Sequence, residues 1–72
     1  MRKAFLILET YYGQTKPVYC GADRELAIQR IESMAGRTAC ERNTDLESET
    51  RIRFYSNHGP YTYDLYELDI EA

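Results

Sequence analysis

Only one stretch of this 72-residue chain has helical periodicity, so a single helix must bury an apolar stripe against strands. Ala27, Ile28, Ile31, Met34 and Ala35 fall on one helical face. Gln29, Arg30, Glu32 and Ser33 fall mostly outside it, and Leu26 is expected at its flank. Asp23 suits the N-cap, where its carboxylate accepts from the orphan N–H groups of the first turn. Glu25 sits where the helix dipole favours negative charge. Gly36 suits the left-handed residue that ends a helix. The helix is therefore expected from about Asp23 to Ala35.

The remaining apolar residues read as strands. Lys3 to Tyr12 is a nearly continuous apolar and aromatic run, interrupted only by Glu9 and Thr10, which suits a central strand. Gly13 to Lys16 reads as a turn, with Pro17 tolerated at the start of a short strand, Val18-Tyr19-Cys20. From Thr50 to Ser56, Ile52 and Phe54 point one way while Arg51, Arg53 and Tyr55 point the other. Asn57-His58-Gly59-Pro60 is a turn signal. The last strand runs from Tyr61 to Ile70 and changes phase: Tyr61, Tyr63 and Leu65 share one parity, Tyr66, Leu68 and Ile70 the other. A β-bulge is therefore expected near Leu65-Tyr66, the alternative being a strand with both faces partly covered. The polar segment Arg37 to Glu49 is long for a connection and leaves room for a short strand or helical turn. Cys40 and Leu46 are expected to pin it to the core. The expected fold is α+β, a single domain over residues 1–72 in the order β-β-α-β-β, with one helix on a mostly antiparallel four-stranded sheet.

Composition narrows the function. Hydrophobic residues at 43% and charged residues at 29% exclude a disordered chain. A net charge of −3 disfavours direct nucleic-acid binding, which needs a cationic footprint. Two cysteines, Cys20 and Cys40, are too few for a disulfide framework, so both thiols are expected reduced and the chain cytoplasmic. Glu9 ends the apolar run Ala4 to Leu8, which is shorter than a signal-peptide core of about 7 residues and far shorter than a membrane span of about 20. No leader and no membrane association are expected.

No catalytic constellation emerges. His58 is the lone histidine and sits in a Gly-Pro turn without an orienting partner. Cys20, Cys40 and His58 match no zinc spacing, and the scattered glycines form no phosphate loop. Neither cofactor nor metal is expected, and the chain reads as no enzyme. Tyrosine and arginine are the residues by which proteins bury large contact area while keeping polar handles. With seven tyrosines in the chain, Tyr11, Tyr12, Tyr55, Tyr61, Tyr63 and Tyr66 could build a partner-binding face together with Arg51 and Arg53. The same tyrosines also suit half-buried strand positions. Asp45, Glu47 and Glu49 have a period of two, so in an extended segment their carboxylates would form one acidic edge able to dock on a basic groove. A solvated loop is the plainer reading. Asp64, Glu67, Asp69 and Glu71 are placed for cross-strand pairing with Arg51 and Arg53.

Lys3-Ala4-Phe5-Leu6-Ile7-Leu8-Glu9 opens the chain, a short strand and a helix containing Ala27-Ile28-Gln29-Arg30-Ile31 follow, and a tyrosine-rich hairpin closes it. In order and length this layout resembles the small phage-encoded anti-CRISPR proteins, especially a type I inhibitor with one helix on an antiparallel sheet. The resemblance implies a stoichiometric inhibitor in the host bacterial cytoplasm. Such a protein docks on a subunit of a CRISPR effector complex and blocks its nucleic-acid groove or its conformational change. Two other readings stand beside it: a sheet that stacks single-stranded nucleic acid, and a small domain that forms a homodimer through unprotected edge strands.

Overall fold

The computed structural model describes residues 2–42, 51–56 and 59–70. Two long strands, β1 (Arg2–Tyr11) and β5 (Tyr61–Ile70), pair antiparallel over their whole length and form the spine of the sheet. β2 (Gln14–Gly21) flanks β1. β4 (Arg51–Tyr55) flanks β5 and carries the two-residue β3 (Glu41–Arg42) on its far side. The order is β2-β1-β5-β4-β3, antiparallel throughout, and the helix α1 (Arg24–Arg37) lies on one face. Among the described residues the sheet has five strands rather than four, because the chain pairs with β4 directly after the helix.

The first hairpin is tighter than expected. Its turn is Tyr12-Gly13, both left-handed at φ 50° and 80°, the geometry of a type I′ turn whose twist matches the strands. Gln14 to Lys16 therefore continue the ladder rather than form the turn, and the Thr10 and Thr15 hydroxyls meet at 2.9 Å across it. Pro17 is accommodated because β2 is an edge strand. The register slips between Ile7 and Leu8, which face Tyr19 and Pro17, so Val18 is the extruded residue. The bulge expected near Leu65-Tyr66 is absent: β5 stays in register with β1 and β4 through both residues. Its phase change reflects the alternative, a central strand with apolar residues on both faces.

Asp23 caps the helix as expected, accepting from the Leu26 N–H at 3.2 Å. The C-terminus differs. Gly36 lies inside the helix, and the left-handed residue is Ala39 at φ 56°. The Cys40 N–H bonds the Ala35 carbonyl at 2.8 Å and the Thr38 N–H bonds it at 3.3 Å. The Cys40 bond is the six-to-one link of a Schellman motif, with Ala35 and Cys40 both buried as its apolar clasp. The Thr38 hydroxyl adds a bond to the Met34 carbonyl at 3.0 Å. Packing favours the two further helical residues, because the longer helix and its left-handed end carry Cys40 into the core, where its thiol reaches the Tyr61 carbonyl at 3.6 Å.

The core is the space between helix and sheet. Phe5 and Ile7 of β1, Tyr63 and Leu65 of β5, and Ile52 and Phe54 of β4 meet Ala27, Ile31, Ala35 and Cys40 there. Ile7 and Ile31 are fully buried, and each contributes about 1.5–3 kcal/mol of transfer free energy. Period-two alternation then assigns every other residue of the same strands to the opposite face, on which no described element packs.

Candidate functional site

That outer face has a definite chemistry. Cross-strand register aligns Leu6 with Tyr66 and Arg51, Leu8 with Asp64 and Arg53, Ala4 with Leu68, and Arg2 with Ile70. Leu68 and Ile70 are exposed, and Leu6, Leu8 and Tyr66 are half-buried. Asp64 is only 4% exposed although it lies on the uncovered side. The Arg53 Nε donates to Asp64 Oδ1 at 2.7 Å and Nη2 donates to Oδ2 at 3.1 Å. These bonds push the Arg53 pKa further up, against the opposing cost of burial. Arg51 shares the carboxylate less closely, with Nε 3.5 Å from Oδ1, and its guanidinium stands 5.8 Å from the centre of the Tyr66 ring. Its buried Nε makes no hydrogen bond among the described residues. At the end of the face, Ala4, Cys20, Gly21 and Ile70 line an apolar depression of about 610 Å³ rimmed by Arg2.

The structure separates the tyrosines expected on one face. Tyr55 and Tyr66 share the outer face with Arg51 and Arg53. Tyr11, Tyr61 and Tyr63 lie on the helix side, where Tyr63 is a core residue at 2% exposure. Burial, reinforced by its hydrogen bond to Glu9 Oε2 at 2.8 Å, pushes the Tyr63 phenol up to about 12. Tyr12, at the hairpin tip, meets Tyr11 edge-on with centroids 4.6 Å apart. Tyr11 leans on Tyr61 at 4.7 Å, and Tyr61 stacks on Tyr63 at 6.1 Å. Beside this ladder Glu9, Gln14, Lys16 and Tyr61 line an open cleft of about 410 Å³. Asp45, Glu47 and Glu49 lie outside the described residues, as do Leu46, Asn57, His58 and Glu71.

The remaining candidates do not converge. Cys20 pairs with Leu6 on the outer face while Cys40 is buried on the helix side. Among the described residues no group of three or more His, Cys, Asp or Glu side chains is placed to hold a metal ion. No described helix is long and apolar enough to cross a membrane. Expected cross-strand pairing is realised at Asp64, whereas Glu67 and Asp69 turn to Lys3 on the helix side. Sequence reasoning passed over Leu6, Leu8 and Ala4 as site residues. Their signal was the even parity they share with Leu68 and Ile70 once β1 and β5 are known to pair. No family model matches the chain, and no curated protein and no solved structure matches it.

Proposed function

We propose that this chain is a non-enzymatic protein-binding module that docks through the outer face of its sheet. In its finer form the proposal is an anti-CRISPR-like inhibitor that seats on a bacterial nucleic-acid-binding effector complex. The observation that carries the docking face is the conjunction of two arginines and Tyr66 with Leu6, Leu8, Leu68 and Ile70 on a sheet surface that no described element covers. Strands at ~4.8 Å spacing and ~3.3 Å per residue make this face roughly 600 Å², approaching the ~800 Å² per partner of an ordinary protein interface. The anti-defence form is supported by the chain layout described above.

The two other readings fit the geometry less well. A single-strand platform needs several exposed rings for successive bases to stack on, whereas on this face Arg51 stands over Tyr66 and leaves Tyr55 as the exposed ring among the described residues. Edge-to-edge pairing meets a β2 edge blunted by Lys16, Pro17 and the Val18 bulge, and a β3 edge only two residues long.

The test is affinity capture from bacterial lysate, with and without nuclease, read by mass spectrometry. A stoichiometric protein partner that survives nuclease supports the module, and a CRISPR effector subunit as that partner supports its finer form. Recovery of nucleic acid alone, or of the protein alone, overturns the docking reading.

A further inference from the structure

Charge is segregated by sheet face. On the three central strands β1, β5 and β4, the helix side carries Lys3 against Glu9, Glu67 and Asp69 among the described residues. The outer side carries Arg2, Arg51 and Arg53 against Asp64 alone. Asp64 is buried beneath the two β4 arginines and is consumed mainly by Arg53, whose bidentate bonds take both of its oxygens. Among the described residues Arg51 has one ion pair, at 3.5 Å and without hydrogen-bonding geometry. Glu41 of β3, opposite Tyr55, adds one exposed carboxylate at the far edge. Among the described residues three arginines therefore face two carboxylates on this side, one of them buried and paired, and the surface near β1 and β5 is cationic and apolar although the chain is acidic overall.

Resting on the reading that this face docks a protein, we propose that the patch it receives is an acidic segment with apolar neighbours: a carboxylate pairs with the guanidinium of Arg51, and an apolar side chain enters the depression formed by Ala4, Cys20 and Ile70. Charge complementarity selects this occupant. A second copy of the chain meeting face to face would set arginines against arginines, and a basic partner would face the same repulsion. A planar guanidinium backed by an aromatic ring is already held in position, so a partner carboxylate gains a charge-assisted contact at little ordering cost. Ile70 lies four residues along β5 from the level of Arg51, Ala4 two residues along and two strands across, and Cys20 level with it three strands across. The depression thus stands roughly 12–14 Å from Arg51, within reach of one short extended segment. Such a patch is unlike a nucleic-acid groove, which is basic. It places docking on an effector complex outside its nucleic-acid channel, where inhibition acts by holding a conformation.

The test selects a display library of random dodecapeptides against the full-length protein, then titrates the enriched peptides into wild type, Arg51→Gln and Leu68→Glu. A fluorescent oligo(dT) is titrated in parallel, and thermal midpoints confirm that both variants fold. The enriched peptides are expected to combine Asp or Glu with large apolar residues. They should weaken with added salt and bind Arg51→Gln about tenfold less tightly, the loss expected of one charge-assisted pair. Neutral or basic winners, an Arg51→Gln variant that binds as well as wild type, or no enrichment at all overturns the proposed partner chemistry. Where peptides do enrich, continued sensitivity to Leu68→Glu would still uphold the docking face, whereas indifference to it, like an absence of enrichment, removes the face as well. Oligo(dT) binding that is lost in Arg51→Gln would assign the face to nucleic acid instead.

Discussion

Arg53 and Asp64, neighbours across β4 and β5, form a two-pronged ion pair on the side of the sheet away from the helix, with contacts of 2.7 and 3.1 Å. The carboxylate is buried there by the very arginines it neutralises, so the pair is structural while its cationic surplus faces outward.

Asp64→Asn is expected to lower stability by about 1–3 kcal/mol. Breaking a fully buried pair costs about 3–5 kcal/mol, but here both arginines are about 30% exposed and can turn toward water. Asp69→Asn, whose carboxylate is 60% exposed beside Lys3, should leave the denaturation midpoint where it is. Urea titration of both variants checks the contrast. Equal effects would show that burial of Asp64 carries no special weight.

The helix C-terminus predicts two stabilising changes. Gly36 is helical with open space where a Cβ would lie, so Gly36→Ala should add about 0.5–1 kcal/mol. Ala39 holds φ 56° at the left-handed position, so Ala39→Gly should add a similar amount. Each is expected to raise the thermal midpoint by roughly 2–8 °C for a domain of this size. A drop for either would contradict the helix end described above.

Much of the architecture could be read from residues alone. Asp23 marks the helix start because its carboxylate has one short-range task, and Pro60 followed by alternating aromatics marks the start of β5. Local chemistry misled at Gly36: glycine is the favoured terminator, yet burial of Cys40 against the Ala35 end of the helix repays a left-handed alanine. The Val18 bulge was equally hidden, since β2 alone does not specify how it aligns with β1. The tyrosine face divided for the same reason. Alternation groups Tyr61 with Tyr63 and Arg51 with Arg53, but only the long-range register of β1, β5 and β4 decides which group meets the helix.

Tyr63 makes stability fall at alkaline pH. Its folded value of about 12 lies above the ordinary tyrosine value of 10.0, so the native state favours the neutral phenol. Between those values the unfolded chain releases a proton that the native chain keeps. The contribution is therefore complete below pH 10 and is lost as pH rises toward 12. At 1.36 kcal/mol per pH unit the loss approaches about 2–3 kcal/mol across that window. Tyr63→Phe should remove this slope while costing about 1 kcal/mol at neutral pH through the lost bond to Glu9. Urea titrations from pH 9 to about 11.5 compare the two slopes; parallel lines would count against a buried Tyr63 hydroxyl.

Leu26 and Leu68 supply a matched pair for the central claim, one on the helix and one on the outer sheet face, exposed to 42% and 43%. The measurement is the affinity of the nuclease-resistant captured partner for wild type, Leu26→Glu and Leu68→Glu, with the thermal midpoint of each variant recorded alongside. Docking through the outer face predicts that Leu68→Glu weakens binding by about tenfold or more, while Leu26→Glu binds as wild type and both remain folded. Loss of binding in Leu26→Glu with Leu68→Glu unaffected would contradict the account and move the interface to the helix side.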